Sequence, residues 1–322
     1  MLRIVCAAAM AVVLSITGIF GSPAVAAGTT TWHVQAGSIA FGPTGPVGGG
    51  NRFYPASIAI HPGDKVAFTP LGAHTITYNR PPGPVFVLFA PSGVTTLTAA
   101  NESVNSGIIG DGPPPPPTFT VTFASTLPAG LYKFICGLHI GMTEMIDVLP
   151  MSQALPKTDA QYGAIAQAEI TRDLATVADI AAEAAQGTED EDGGPSVLVG
   201  AGNKRVSNLR FFPQTTTIHV GQTITFLKTH DPTEPHTVTF GPENPDPFLQ
   251  LLPSGGNTYD GTGTVNSGFL STTEQYAYYQ LAGVFPPPTT RFRVTFTRAG
   301  TYEYICALHD VVGMVGTIVV KP

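Results

Sequence analysis

The chain repeats itself, and the repeat limits the possible folds more than any other feature. Tyr302-Glu303-Tyr304-Ile305-Cys306-Ala307-Leu308-His309-Asp310-Val311-Val312-Gly313-Met314 has a near copy far upstream, Tyr132-Lys133-Phe134-Ile135-Cys136-Gly137-Leu138-His139-Ile140-Gly141-Met142. Other echoes accompany it. Arg52-Phe53-Tyr54-Pro55 returns as Arg210-Phe211-Phe212-Pro213, Ile60-His61-Pro62-Gly63-Asp64 as Ile218-His219-Val220-Gly221-Gln222, and Val104-Asn105-Ser106-Gly107 as Val265-Asn266-Ser267-Gly268. The separation between matching residues grows from 158 to 170 along the copies, as expected when one domain is duplicated and the second copy acquires longer loops. At 322 residues the chain has room for both.

Each copy reads as strands. Ala56 to Ile60, Lys65 to Thr69 and Thr118 to Phe123 alternate in the first, as do Thr223 to Phe226 and Arg291 to Thr297 in the second, with turns at Pro62-Gly63-Asp64, Pro128-Ala129-Gly130, Val220-Gly221-Gln222 and Arg298-Ala299-Gly300. Charged residues make up only 11%, whereas glycine (36) and proline (30) are abundant, a composition for short strands and turns. Alternation implies one buried and one solvated face, hence an all-β chain of two sandwiches. Between the copies the pattern changes. Thr158-Asp159-Ala160-Gln161 fits a capping box, and Tyr162, Ala166, Ile170, Leu174, Val177 and Ala181 follow at helical spacing up to Gly187, before the acidic run Glu189 to Asp192. The expected organisation is a domain over residues 28–150, a helical linker and acidic loop over 151–195, and a second domain over 196–322. The helix is expected to pack on one or both sandwiches and set their orientation. Pro81 to Pro117 and Pro242 to Pro288 exceed ordinary loop lengths, and Val85 to Phe89 within the first reads as strand.

The repeated loop offers a thiol, an imidazole and a thioether in order, and each copy has a further histidine upstream. His74 opens His74-Thr75-Ile76-Thr77-Tyr78, and His236 opens His236-Thr237-Val238-Thr239-Phe240. Thiolate, two imidazoles and a weak thioether favour copper cycling between Cu(I) and Cu(II).

This order, a histidine and then Cys-x2-His-x(2 to 4)-Met after a long gap, resembles the cupredoxins, the plastocyanin, azurin, amicyanin and halocyanin group of blue copper proteins, twice over. The resemblance implies Greek-key sandwiches and two type 1 copper sites, His74, Cys136, His139 and Met142 in one and His236, Cys306, His309 and Met314 in the other. By the same resemblance, the backbone N–H groups of Thr75 and Thr237 donate to the cysteine sulfurs, a contact that tunes the metal. His139 and His309 would stand at loop tips among Leu138, Ile140, Leu308, Val311 and Val312, an apolar collar suited to brief docking of a redox partner.

Compartment and charge agree with this. Met1-Leu2-Arg3, an apolar run to about Phe20 and Ala24-Val25-Ala26-Ala27 form the three parts of a secretory signal over residues 1–27. Its removal leaves no membrane span and only Cys136 and Cys306. In an oxidising compartment two cysteines invite a disulfide, but matching positions of separate domains seldom meet, and metal ligation accounts for both thiols. The expected location is the periplasm, the extracellular space or the cell surface. A formal net charge of −7 argues against nucleic acid as a partner.

The remaining histidines bear on carrier against enzyme. A multicopper oxidase or copper nitrite reductase needs further imidazoles, in His-x-His pairs or just before the ligand cysteine. Ile135 and Ile305 occupy that preceding position, no His-x-His occurs, and His33, His61, His219 and His230 are scattered singly. His230 is an alternative ligand six residues ahead of His236, but the residues after His236 match the first copy better. The function expected is an exported electron carrier and not an enzyme, working with redox partner proteins. The alternatives are copper storage, delivery or sensing, and a non-redox adhesion or assembly module on the same sandwich.

Overall fold

A computed structural model describes residues 29–110, 117–187 and 193–322. The expected signal segment lies outside the described residues, as do most of the five-proline run and the acidic run. The first half contributes β1 (Thr31–Gly42), β2 (Gly45–Tyr54), β3 (Ser57–Ile60), β4 (Lys65–Pro70), β5 (Thr77–Tyr78), β6 (Thr96–Leu97), β7 (Val104–Asn105), β8 (Phe119–Phe123), β9 (Gly130–Ile135) and β10 (Thr143–Val148). Two helices follow, α1 (Asp159–Ala175) and α2 (Val177–Ala184). The second half supplies β11 (Ser196–Gly202), β12 (Val206–Phe212), β13 (Thr215–His219), β14 (Thr223–Leu227), β15 (Thr239–Phe240), β16 (Thr258–Tyr259), β17 (Val265–Asn266), α3 (Thr273–Tyr278), β18 (Arg291–Phe296), β19 (Gly300–Ile305) and β20 (Val315–Lys321).

Two β-sandwiches result, each with its own core. In the first, the sheet β3-β10-β9-β5-β7 faces β1, β2, β4, β8 and β6 across Phe53, Phe68, Phe123 and Phe134. In the second, β13-β20-β19-β15-β17 faces β11, β12, β14, β18 and β16 across Phe211, Phe226, Phe240 and Phe296. Alternation of buried and open positions along β8 and β20 is the pattern that sequence alone predicts for such strands.

The outer sheets are not separate. They join into one ten-stranded sheet, β16-β18-β14-β11-β12-β2-β1-β4-β8-β6, through antiparallel pairing of β2 with β12, with Val206 opposite Gly50, Ser207 opposite Gly49 and Asn208 opposite Gly48. Glycine is required at this seam. A Cβ on Gly48 would lie 2.0 Å from the Ser207 carbonyl oxygen. Beside it the Asn51 amide donates to Ser207 Oγ at 3.1 Å and to Thr233 Oγ1 at 3.0 Å.

The linker is helical, as its spacing predicts. Thr158 and Gln161 form the capping box, and Tyr162 and Ala166 are buried against the first half, Val177 and Ala184 against the junction and the second. Asp173, itself buried, accepts from Arg52 Nη1 at 3.1 Å and Tyr54 Oη at 3.2 Å, and Arg205 of the second half lies 3.6 Å away. The helical segment therefore fastens both sandwiches. Among the described residues no helix is long and apolar enough to cross a membrane.

One local expectation fails. Val85 to Phe89 does not form a strand. Val85–Leu88 is a 3-10 helix entered from Pro84, with Val85 and Leu88 buried. Their i, i+3 spacing lies on one face of a three-residue turn, and the Asn105 amide takes up the Leu88 and Ala90 carbonyls at 3.1 and 2.7 Å in place of a strand neighbour.

Candidate metal centres

β9 delivers Cys136 and β19 delivers Cys306, each to the first residue past the strand, where the chain turns back into β10 or β20. The turn closes on itself: Cys136 N–H donates to the Met142 carbonyl at 3.0 Å and Met142 N–H to the His139 carbonyl at 3.1 Å, and the same pair of bonds links Cys306, Met314 and His309 at 3.1 and 3.1 Å. A loop bonded in this way fixes where its histidine points. The upstream histidines arrive just ahead of β5 and β15, both neighbours of the cysteine strand.

In the first half, Cys136 Sγ lies 3.3 Å from His139 Nδ1 and 3.8 Å from His74 Nδ1, and the two Nδ1 atoms are 3.0 Å apart. The second half repeats this, with Cys306 Sγ 3.4 Å from His309 Nδ1 and 3.8 Å from His236 Nδ1. Within each trio the donor atoms all lie within 4.8 Å of one another. Met142 and Met314 are buried at the ends of the same loops. Both cysteines are free and buried, with no disulfide between them.

Donor chemistry fits copper at both places. Each sulfur faces two ring nitrogens, and Thr75 N–H and Thr237 N–H donate to the sulfurs at 3.4 and 3.3 Å, as the resemblance implies. Thr75 Oγ1 and Thr237 Oγ1 accept from the N–H after each cysteine, both at 2.7 Å, locking the two ligand segments together. Burial pushes the Cys136 and Cys306 thiols up, but the facing imidazoles outweigh it and hold both well below the usual thiol range. Two buried donor sets poised around a thiolate are what a soft, redox-active ion requires.

Gly37 and Gly200 underlie this geometry, and the sequence reading passed over both. Each has a left-handed φ, +80° and +74°, and a Cβ would fall 2.0 Å from His74 Nε2 or 2.2 Å from His236 Nε2.

The loop tips do not face solvent as expected. His139 is only 6% exposed, and Leu138 and Leu308 pack into a cluster with Val85, Leu251, Tyr279, Leu281 and Phe285, where the two halves meet. Tyr278 Oη donates to the Cys136 carbonyl at 2.5 Å and Tyr279 Oη to the Leu138 carbonyl at 2.6 Å, so the second half covers the first half's loop. The two histidine loops share the wall of one cavity of about 670 Å³ at this junction. Of the collar, Val311 alone is strongly exposed, at 87%. The docking surface expected around both histidines is therefore closed at His139 and only partly open at His309, because the long segment between His236 and Cys306 is used to join the halves.

Two carboxylates complete the site, and neither was singled out from sequence. Glu234 Oε1 lies 2.9 Å from His139 Nε2, and its Oε2 lies 3.6 Å from His309 Nε2. Asp231 Oδ2 lies 3.3 Å from His236 Nε2. The equivalent His74 Nε2 faces only the Leu71 carbonyl, at 3.2 Å. Burial pushes the Glu234 carboxyl up, yet the two imidazoles hold it well below the usual range, and burial is likewise outweighed at His309, raised to about 10 by Cys306 and Glu234. A signal did exist: in a charge-poor chain the second copy carries acids before its histidine, where the first has Gly72 and Thr69.

Residues 196–321 match the family of copper binding proteins of the plastocyanin/azurin type. No curated protein matches the chain. Among solved structures, a mutant plastocyanin of fern is 22% identical over 39% of this chain and 99% of its own, with a TM-score of 0.24. Oxidized plastocyanin from Dryopteris crassirhizoma is 21% identical over 39% of this chain and 99% of its own, TM-score 0.24. A mutant amicyanin in its Cu(I) form is 20% identical over 42% and 89%, TM-score 0.25.

Proposed function

We propose that this cupredoxin-like chain, whose second half matches the plastocyanin/azurin family of copper binding proteins, is an exported electron carrier with two type 1 copper sites. His74, Cys136, His139 and Met142 would hold one ion, and His236, Cys306, His309 and Met314 the other. The observation that carries the reading is the pair of buried Cys-His-His clusters, each with a backbone N–H on its sulfur. Copper, when bound, supplies one-electron chemistry between Cu(I) and Cu(II).

The chain's own part is to keep donors still. Three donors come from one self-bonded loop and the fourth from an adjoining strand entry, and a close-packed sandwich resists their displacement. Little movement between redox states means little reorganisation on electron transfer. The thiol loses its proton readily beside two imidazoles, and the N–H groups at the sulfur moderate its donation. Export rests on the leader-like first 27 residues, and the destination is a periplasm or an outer surface. Redox proteins are the partners this reading requires.

Storage or delivery is the second reading. Burial of seven of the eight side chains, with His309 only partly exposed, weighs against it, since handover needs accessible ligands. Copper counting tests the sites: two ions per native chain, one in Cys136→Ser and one in Cys306→Ser. Reversible one-electron reduction of the loaded protein separates carrier from store, and a chain that binds copper but cannot be cycled would exclude the carrier.

A further inference from the structure

We propose that Glu234 couples the two metal centres, acting as a single shared positioning residue for His139 and His309. The inference rests on the copper reading above and deepens it.

Each of these rings is held at both edges. Its Nδ1 faces its own cysteine sulfur, at 3.3 Å for His139 and 3.4 Å for His309, and its Nε2 faces Glu234, at 2.9 and 3.6 Å. One carboxylate thus closes a continuous path, Cys136 to His139 to Glu234 to His309 to Cys306, in which no step exceeds 3.6 Å. Polar side chains in a buried environment normally satisfy one partner set. Here the two oxygens are divided between two sites in different halves of the chain.

The backbone that carries this carboxylate is itself braced. Glu234 N–H donates to Asp231 Oδ1 at 3.0 Å, and the Gln275 amide of α3 donates to the Glu234 carbonyl at 3.1 Å. Lys228 Nζ, also buried, donates to Gln275 Oε1 at 2.6 Å and to the Asp231 carbonyl. Because Asp231 also reaches His236, three of the four imidazoles in the two clusters lie on one braced network. A Glu234 that turns toward one histidine must turn from the other, so a change of charge or occupancy at one centre is felt at the second by an atomic contact and not only through space.

The test compares Glu234→Gln, which keeps the shape and removes the charge, with the native chain, each also carrying Cys136→Ser or Cys306→Ser to leave one blue site. A shared carboxylate predicts that Glu234→Gln moves the charge-transfer band and the copper hyperfine splitting of both single-site proteins. It also predicts that filling one site changes copper affinity at the other by about 5-fold or more in the native chain, and by less than about 2-fold in Glu234→Gln. The metal-free native chain gives an independent readout, in which the Nε2–H protons of His139 and His309 both shift on Glu234→Gln in NMR spectra. Coloured sites that respond singly, with unchanged linkage and only one shifted imidazole proton, would overturn the coupling. A colourless native protein would instead sink the copper reading, while the NMR comparison would still report whether the carboxylate is shared.

Discussion

At the residue scale, small differences between the copies should set the two sites apart. His236 Nε2 meets the Asp231 carboxylate, whereas His74 Nε2 meets a backbone carbonyl. A negative charge against the imidazole favours the more positive metal state, so the second site is expected to have the lower reduction potential. Asp231→Asn should raise that potential by the equivalent of about 1–3 kcal/mol, the worth of a charge-assisted contact, and shift the first site's less, since Asp231 reaches it only through Glu234; redox titration of the Cys136→Ser and Cys306→Ser backgrounds reads this directly. Gly37→Ala should do the reverse, damaging the first site alone. Its Cβ would collide with His74 Nε2 in a backbone region that disfavours side chains, so a stability loss of more than about 1 kcal/mol and selective loss of the first site's copper are expected by unfolding and metal analysis. Cys136, His139 and their repeats were legible because a thiol and an imidazole at fixed spacing carry their chemistry in their identity. Gly37 and Glu234 were not, since a glycine's or a carboxylate's role depends on what a distant segment places beside it.

Among the elements, α3 and the loop before β15 do what no pattern in the sequence announced. They hold Lys228, buried against Asp231 and Gln275. Burial pushes the Lys228 ammonium down to about 8, with Asp231 and Glu234 pulling the other way. An unfolded lysine titrates near 10.4. Between these values the unfolded chain holds the proton and the folded chain does not, so this group's contribution to stability rises with pH across the window, by about 3 kcal/mol in all. It is lost as pH falls through 8. Urea unfolding at pH 7.5 and 9.5 should show the native chain gaining on Lys228→Met; an identical slope in the two proteins would refute the assignment. The linker helices, by contrast, were readable from Thr158-Asp159-Ala160-Gln161 and the spacing of Tyr162, Ala166 and Val177, because a capping box and a 3.6-residue stripe are local. Val85 to Phe89 misled because five apolar residues suit a strand or a 3-10 turn equally, and only the surrounding prolines and Asn105 decide.

For the whole molecule, duplication was visible and the manner of joining was not. Repeats report what each copy shares, while the junction is built from what they do not share: Gly48 to Gly50 at the sheet seam, Tyr278 and Tyr279 over the first loop, Glu234 between the histidines. The seam has its own test. Gly48→Ala places a methyl against the Ser207 carbonyl at a φ of +148°, which should cost more than about 1 kcal/mol and split one thermal unfolding transition into two as the sandwiches uncouple; a single unshifted transition would show that the ten-stranded sheet does not unite them. What all of this serves is a pair of cysteine and histidine clusters, to each of which the proposed function assigns one copper. The most direct measurement is the visible absorption spectrum of the copper-loaded chain. An intense sulfur-to-copper charge-transfer band that falls by about half in either Cys136→Ser or Cys306→Ser is the predicted result, and a loaded protein with no such band would contradict the account.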